Sequence, residues 1–339
     1  MNRRTELTGI IAIVLLSVAS IAIGQTPDRF IGRWALTIPG GGAGWLGIED
    51  KGNYFDGSIL WGGGSVVPLE SVYFDGESLN VTRLRKVDRK DADGKVVRSQ
   101  NFTETITATV SGDTMKLTRT APRHNGKGVS RDIFKGKRIP PLPAKPDLSK
   151  AKRGKSVKLF NGKNLDGWRL TDRSKNSKNG WSVKNGTLIN NPAQPEGRHI
   201  SYGNLRTIAE FEDFNLKLET KLGKGSNSGI YLRGIYEIQV TDSFGRGLDS
   251  HNMAAVYSRI TPTVNAEKPA GKWQTLDITL LDRHVTVILN GKTIINNEPL
   301  LGCTGGAIWA DQSRPGPIYL QGDHSGINYR NIVLTPLMK

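Results

Sequence analysis

The stretch Asn227–Gly245, NSGIYLRGIYEIQVTDSFG, alternates apolar side chains with charged or amide side chains. Successive residues of a β-strand point to opposite faces of a sheet, so this spacing predicts two neighbouring strands with one apolar and one polar face. Ile230 and Leu232 then face a core. The opposite face is predicted to carry Tyr231, Arg233, Glu237, Gln239 and Thr241. An ordinary solvated sheet face is the alternative interpretation.

The remainder of residues 156–339 has the same character. Asn161-Gly162, Asn185-Gly186 and Asn290-Gly291 are dipeptides typical of tight hairpins, because both central residues of a type I′ turn need positive φ. The segment WQTLDITLLDRHVTVILNGKTIINN reads as a meander of alternating strands, and no segment has the 3.6-residue apolar period of a helix. The sequence therefore predicts an all-β, two-sheet sandwich over this region.

Residues 27–138 are predicted to form a smaller antiparallel β-barrel. Short alternating runs recur about every 8–12 residues and are separated by Gly, Asp and Asn. The opening Gly32-x-Trp34 resembles the start of lipocalin-like barrels. His124 is expected to lie in a solvated turn. Residues 139–155, rich in proline and basic residues, are predicted to form an extended linker between the two domains.

The first 24 residues have the pattern of a signal peptide. Arg3 and Arg4 precede a short apolar run that ends at Ala22-Ile23-Gly24. We therefore expect an exported protein, periplasmic or secreted, with no transmembrane span after signal removal. An uncleaved membrane anchor is the alternative interpretation. Cys303 is the only cysteine, so no internal disulfide is possible, and its apolar surroundings predict a buried thiol.

Positive charge is concentrated in one part of the chain. Between residues 83 and 155 there are 20 Lys and Arg against 7 Asp and Glu. In an exported protein this basic segment favours an anionic envelope surface as partner, with a solubilising surface as the alternative. Aromatic residues are scarce there, which argues against nucleic acid.

The predicted polar sheet face suits a carbohydrate, because carboxylate, guanidinium and amide groups bind hydroxyls while aromatic rings cover a sugar ring. Glu237, Gln239 and Asp242 resemble the E-x-D-x-x-E strand of laminarinase-type glucanases, with Gln in place of the middle Asp and Asp in place of the last Glu. These replacements disfavour the retaining two-carboxylate mechanism. Glu237 remains the best placed acid or base, and Asn227 is a candidate substrate-binding residue.

A second polar cluster occurs near the C-terminus. Asp323 and His324 follow the predicted strand PIYLQ in a Gly-bounded loop, and His251 is a further candidate. An imidazole beside a carboxylate suits proton transfer or a divalent metal site. The spacing of these groups fixes no metal, so no cofactor is assigned. Polar turn residues on a sheet rim are the alternative.

Five segments together resemble one known family, the 3-keto-disaccharide hydrolase domain of exported bacterial proteins. In chain order they are KLFNGKNLDGW (158–168), GWSVKNGTLI (180–189), NSGIYLRGIYEIQVTDS (227–243), KWQTLDITLLDRHVTVILNGKTI (272–294) and PGPIYLQGDHSGINYRNI (315–332). The resemblance covers most of residues 156–337. It implies a concanavalin A-like jelly-roll sandwich and action on sugars oxidised at C3.

The implied chemistry is elimination followed by hydration. A ketone at C3 acidifies the proton on C2, so a base, a donor at the ketone oxygen and an acid at the leaving oxygen are needed. By residue type we expect Glu237 or His324 as base or acid and Arg233 as enolate stabiliser. We expect Asp242 and Asp323 to orient them or bind a metal ion, and Tyr231 and Gln239 to contact hydroxyls.

Two other functions fit the same residues. The first is a non-catalytic, lectin-like envelope protein, because such a polar face binds sugars without cleaving them. The second assigns the function to the first domain, which would hold an envelope ligand while the second domain provides attachment. Direct hydrolysis also remains open beside elimination.

Overall fold

The computed structural model describes residues 27–171, 177–195 and 200–338. Apart from a short 3₁₀ turn at Pro27–Arg29, the regular structure of these residues is β-strand. This confirms the predicted all-β class. None of the helices in the described residues is long and apolar enough to cross a membrane. The predicted signal peptide, residues 1–24, lies outside the described residues.

Nine antiparallel strands form the first sheet. They are β1 (Gly32–Thr37), β2 (Ala43–Asp50), β3 (Phe55–Trp61), β4 (Val67–Pro68), β5 (Ser71–Asp75), β6 (Ser78–Lys90), β7 (Val96–Ser111), β8 (Thr114–Pro122) and β9 (Val129–Arg138). Their order in the sheet is β4-β3-β2-β1-β9-β8-β7-β6-β5.

This sheet curls back on itself. β9 pairs with both β8 and β1, and the chain between β4 and β5 bridges β3 to β6. At that bridge the Leu69 amide donates to the Gly57 carbonyl, and the Glu70 amide donates to the Thr82 carbonyl. The strand order is that of an up-and-down barrel, with Trp34 fully buried. The narrower resemblance to lipocalins stays a prediction.

Part of the basic segment is turned inward. Glu104 is fully buried, and its carboxylate binds Arg83, Arg85 and Arg119 at 2.8–2.9 Å. Burial alone would raise the pKa of Glu104, but the hydrogen bond from Arg119 and the charge of Arg83 outweigh it and lower the pKa. These three cations are therefore engaged with an internal carboxylate, and the exposed positive charge is smaller than the sequence count.

The proline-rich segment lies along the second half of the molecule. Arg283 donates to the Pro140 carbonyl at 3.0 Å, and Asn297 donates to the Pro146 carbonyl at 2.8 Å. Ile139 is buried in the apolar cluster that also contains the core residues of the C-terminal half of the chain.

Two sheets make up the second unit. Its strands are β10 (Lys152–Arg153), β11 (Val157–Lys158), β12 (Trp168–Thr171), β13 (Trp181–Lys184), β14 (Thr187–Asn190), β15 (Asn204–Thr207), β16 (Phe214–Leu222), β17 (Asn227–Leu232), β18 (Tyr236–Thr241), β19 (Gln274–Leu281), β20 (His284–Leu289), β21 (Lys292–Pro299), β22 (Tyr319–Leu320) and β23 (Ile327–Met338). One sheet has the order β13-β14-β23-β16-β19-β20-β21, with β10 and β11 also on β23, and the other β12-β15-β22-β17-β18.

The two sheets enclose one apolar core, which confirms the predicted sandwich. Leu218 and Ile278 of the larger sheet share it with Ile230 and Ile238 of the smaller. Because side chains alternate along a strand, the opposite face of β17 and β18 is left for polar groups.

Two of the three predicted hairpins are confirmed. Asn185-Gly186 joins β13 to β14, and Asn290-Gly291 joins β20 to β21. All four residues have positive φ. Asn161-Gly162 joins no paired strands. There the Asn161 side chain accepts from the amides of Lys163 and Asn164, which builds a different turn.

The barrel packs directly on the sandwich. Trp45 of β2 lies in the apolar cluster of the sandwich, and its indole N–H donates to the Leu301 carbonyl at 3.1 Å. The guanidinium of Arg259 lies 4.5 Å from the Trp45 ring centre. This contact places the loop that follows β3 beside the smaller sheet.

Candidate functional site

Strands β17 and β18 bring three predicted residues to one face. In their antiparallel register Tyr231 lies opposite Glu237 and Gly229 lies opposite Gln239. All four are buried, and the segment after Asn252 pairs with the outer edge of β18. The polar face of the sheet is therefore the floor of a recess and not a solvated surface.

Glu237 is the carboxylate at this floor. Its side chain is 4% exposed and lies over Gly229 of the neighbouring strand. The Glu237 amide donates to Thr304 Oγ1 at 2.8 Å, and the Glu237 carbonyl accepts from the Tyr257 amide. These bonds fix the backbone from which the carboxylate projects.

A carboxylate–imidazole pair stands at the rim. His324 Nδ1 lies 2.7 Å from Asp323 Oδ1, in the loop between β22 and β23. A carboxylate at Nδ1 holds the proton on that nitrogen and leaves Nε2 as the basic one. The imidazole side chain is 44% exposed, so this pair faces the pocket mouth.

A pocket with a cavity volume of about 140 Å³ joins these groups and opens to solvent. Its lining residues are Gly63, Gly64, Asn204, Asn227, Tyr231, Glu237, Gln239, Tyr257, Gly305, Gly306, Tyr319, Gln321, Asp323 and His324. Six of the nine site residues predicted from the sequence are among them.

Two amide oxygens in the pocket wall accept no hydrogen bond from the described residues. Asn227 Oδ1 and Gln321 Oε1 are both buried. Nearly all buried polar atoms in proteins are hydrogen-bonded, so these two acceptors remain available to a ligand that donates. Sugar hydroxyls are donors of this kind.

The aromatic part of the wall is held by polar contacts. The Tyr231 and Tyr319 rings are tilted at 50° with centroids 4.6 Å apart. The Tyr231 hydroxyl donates to the Gly305 carbonyl at 2.8 Å, and Asn204 Nδ2 donates to the Tyr319 hydroxyl at 2.5 Å. Asn204 Oδ1 in turn accepts from the Gly322 amide, which ties the β22–β23 loop to β15.

Comparison with known proteins decides the family. The model of the 3-keto-alpha-glucoside-1,2-lyase-like domain matches residues 155–335, more than half of the chain. The chain belongs to this family. The match confirms the resemblance found in the sequence and covers the two-sheet sandwich, hereafter the lyase-like domain, except for β10 and the last residues of β23.

One curated relative is a 3-keto-disaccharide hydrolase from Bacteroides thetaiotaomicron. It is 27% identical over 149 residues, which cover 36% of this chain and 51% of that protein. The chain thus spans about half the length of the curated relative it matches.

Solved structures with similar folds include two bacterial proteins. One, from Parabacteroides distasonis and provisionally named a glycosyl hydrolase, is 26% identical, with a TM-score of 0.43 and coverage of 58% of this chain and 92% of the other. The β-glucanase of Bacillus licheniformis is 14% identical, with a TM-score of 0.37 and coverage of 54% and 98%.

Arg233 does not reach the pocket of the lyase-like domain, contrary to the expectation that it stabilises an enolate. Strand β17 ends at Leu232, and Arg233 has a φ of +55°, so the alternation of faces stops there. Its guanidinium is 2% exposed and donates to the carbonyls of Gln312 (2.7 Å) and Arg314. Arg233 therefore ties down a loop behind the sheet.

Asp242 and His251 also lie outside the pocket lining. Asp242 follows β18, and its Oδ2 accepts from the Gly225 amide at 2.8 Å in a neighbouring turn. No bulge returns this carboxylate to the face of Glu237. His251 contacts Tyr257, which itself lines the pocket. The two rings pack edge-to-face with their centroids 4.8 Å apart.

Several pocket residues were missed by sequence reasoning. Tyr319 and Gln321 precede Asp323 at two-residue intervals, a strand spacing that would have placed all three on one side. Asn204, Tyr257 and the glycine pairs Gly63-Gly64 and Gly305-Gly306 had no local signal, because distant segments bring them to the pocket.

Within residues 27–171, 177–195 and 200–338, no group of three or more His, Cys, Asp or Glu is arranged to hold a metal ion. Cys303 is fully buried, as predicted, and burial raises the pKa of its thiol to about 11. It therefore remains an inert thiol in the core.

Proposed function

We propose that the protein cleaves glycosides whose sugar ring carries a ketone at C3. The observation that carries this proposal is the buried Glu237 carboxylate in a polar pocket of a lyase-like domain, beside two unpaired amide acceptors. A ketosugar brings hydroxyl donors to those acceptors and an acidic C–H bond to the carboxylate.

The reaction has two stages. A base removes the C2 proton, the electron pair forms the C2–C1 double bond through the enolate, and the C1–oxygen bond breaks as an acid protonates the leaving oxygen. Water then adds across the double bond, its hydroxyl to C1 and its proton to C2, so the net change is hydrolysis. No external oxidant or reductant is required.

We assign the base to Glu237 and the acid to His324. The floor position of Glu237 suits a proton taken from the ring, whereas the rim position of His324 suits a leaving group that departs toward solvent. Asp323 orients the imidazole and stabilises its cationic form.

Tyr319 takes the place that Arg233 was expected to fill at the ketone oxygen. Asn204 donates to the Tyr319 hydroxyl, which polarises that O–H group and strengthens it as a donor. Gln239, Asn227 and Gln321 then bind hydroxyls of the sugar.

Export and envelope association are also part of the proposal. Residues 1–24 supply the signal peptide pattern, and the exposed part of the basic segment 83–155 suits an anionic surface.

The test offers the purified protein a 3-keto-disaccharide and its unoxidised parent, each with and without chelator. We expect cleavage of the keto compound alone and a kcat at least about 100-fold lower in Glu237→Gln. Glu298→Gln, exposed on β21 of the other sheet, is the matched control and should retain activity. Loss of activity in chelator would assign the electrophilic role to a metal ion.

A lectin-like function is the second candidate. The unpaired Asn227 and Gln321 oxygens favour sugar binding whether or not cleavage follows. Equal binding of both sugars without turnover would establish this alternative and refute the enzymatic proposal.

A further inference from the structure

The loop Gly62–Val66, between β3 and β4 of the barrel, extends to the pocket of the lyase-like domain. Gly63 and Gly64 are pocket-lining residues although they belong to the other sheet. The family match begins at residue 155, so this wall is built by a part of the chain outside the family domain.

Hydrogen bonds fix this loop against the lyase-like domain. Ser65 Oγ lies 2.8 Å from His251 Nε2, and the Val66 amide donates to Ser258 Oγ at 3.0 Å. On the pocket side the Gly306 amide donates to the Gly62 carbonyl at 3.3 Å. The loop is therefore tied on both sides of its two pocket-lining glycines.

Close backbone packing adds to these bonds. A Cβ atom on Gly305 would lie 2.1 Å from the Gly64 carbonyl oxygen, so glycine is required for the two loops to meet. Gly62 and Gly64 have φ of +75° and +83°, which only glycine adopts without strain. The conformation is built into the sequence GGGS.

The interface near the loop is closely packed. Trp45 is 5% exposed between the two units, and Arg259 stacks on it while donating to the Cys303 carbonyl at 2.6 Å. Burial lowers the pKa of Arg259 to about 10, so the guanidinium stays charged at neutral pH. These contacts join the barrel to the lyase-like domain beside the strand from which the loop continues.

Ser65, His251 and Asp249 contact one another in the way that the three residues of a nucleophilic triad do. Ser65 Oγ contacts His251 Nε2, and His251 Nδ1 lies 2.6 Å from Asp249 Oδ1. Their environment argues against that role. The side chain of Asp249 is 59% exposed, and the Val66 amide next to Ser65 already donates to Ser258. An acyl-transfer site needs free amide donors beside its nucleophile. The three residues instead anchor the loop.

We propose that the loop Gly62–Val66 is a specificity-determining wall of the substrate pocket, which limits the size of the glycoside that binds. This inference rests on the proposed function for the identity of the substrate. The wall presents bare backbone because a side chain at Gly63 would take up pocket volume.

Gly63 provides the test. Of Gly62, Gly63 and Gly64 it alone has no positive φ, and a Cβ atom there meets nothing within 4 Å.

The first experiment is thiol protection. In Gly63→Cys the new thiol is accessible to iodoacetamide while Cys303 is buried. Combining it with Glu237→Gln allows the keto-disaccharide to bind without turnover.

We expect a saturating 3-keto-disaccharide to slow alkylation of the introduced thiol at least about fivefold, as measured by mass spectrometry. Asn53→Cys, in the exposed turn at the other end of β3, is the matched control and should show no protection. Unchanged alkylation of Gly63→Cys under these conditions would overturn the inference.

The second experiment is kinetic. Gly63→Trp should raise KM for the keto-disaccharide at least about tenfold and leave kcat within about threefold, because the wall contacts substrate without taking part in proton transfer. Asn53→Trp should change neither constant. An unchanged KM in Gly63→Trp would refute the wall.

Failure of the proposed function gives a different result. If the wild type cleaves no keto-disaccharide but either sugar protects Gly63→Cys, the wall stands and the enzymatic assignment falls. If the wild type cleaves the substrate and no sugar protects the thiol, the wall falls alone. If the protein neither cleaves nor shows protection, both are wrong.

Discussion

A Cβ atom built on Gly229 would lie 2.3 Å from Oε1 of Glu237, so the carboxylate of β18 occupies the space above a glycine of β17. The two residues are diagonal neighbours, since Gly229 pairs with Gln239 and Glu237 pairs with Tyr231. Any side chain at position 229 would occupy the place of the candidate base. The glycine thereby determines where the carboxylate points.

Gly229→Ala is expected to lower kcat at least about tenfold, with a smaller effect on KM. The added methyl group must displace the carboxylate, and a shift on the order of 1 Å at a catalytic group costs up to about 100-fold in rate. Steady-state kinetics with a 3-keto-disaccharide measure the effect, and a melting curve checks the fold.

Ser228→Ala is the control, because Ser228 projects from the opposite face of the same strand and contacts Tyr329 at 3.1 Å. It should lower the melting temperature slightly and leave kcat unchanged. Full activity in Gly229→Ala would show that the position of the Glu237 carboxylate is unimportant.

The Asp323–His324 pair is expected to act as one unit. His324→Gln should lower kcat at least about 100-fold, and Asp323→Asn about tenfold, because the imidazole loses the carboxylate that orients it. The double variant should be no slower than His324→Gln alone, since residues that work together are not additive.

His124→Gln, in the β8–β9 turn of the barrel, is the matched control for loss of an imidazole. Its kinetics should equal those of the wild type. Independent, additive losses at Asp323 and His324 would argue that the carboxylate has no orienting role.

The alternation of the sequence predicted the shared face of Tyr231, Glu237 and Gln239 because a period of two is a property of extended backbone. It failed at Arg233 for the same reason. The turn from β17 to β18 begins there with a positive φ, and the side chain leaves the sheet face. Gly234, which follows, was the available sign of that turn.

Other parts of the site had no local signal. Ser65 and His251 are 186 positions apart, and their contact follows from how the barrel packs on the sandwich. Burial of Trp45 at that interface depends on three-dimensional packing, which periodicity in one strand does not encode. The pocket floor was therefore predictable, and the wall from the barrel was not.

Arg233→Met is expected to reduce stability and leave the chemistry intact. Removing the guanidinium leaves the carbonyls of Gln312 and Arg314 without their donor, at a cost of about 2–3 kcal/mol in the free energy of unfolding. Denaturant unfolding measures the loss, and kcat per folded molecule should stay within about threefold. Arg246→Met, at an exposed position, is the control and should change neither quantity.

A 100-fold fall in kcat with unchanged stability would return Arg233 to the role of enolate stabiliser, which its contacts in the folded protein argue against.

Asp213, at the other end of the sandwich, gives a prediction about pH. Burial, followed by the nearby charge of Asp282, raises the pKa of its carboxyl from 3.8 to about 6. The native state then binds a proton more tightly than the unfolded state. The stability linked to this group is present at low pH and is lost as pH rises through about 6.

Asp213→Asn mimics the protonated form and should therefore stabilise the protein at pH 7, by about 1–2 kcal/mol once solvent screening at this partly exposed site is allowed for. The gain should shrink between pH 6 and 4 and vanish below, because wild-type Asp213 is then protonated as well. Asn Oδ1 can still accept from the Asp282 amide, as Asp213 does at 3.1 Å.

Melting curves from pH 3.5 to 7 measure the difference, with exposed Glu212→Gln as control. A gain of equal size at all pH values would show that Asn stabilises by packing and that the buried charge is not the cause.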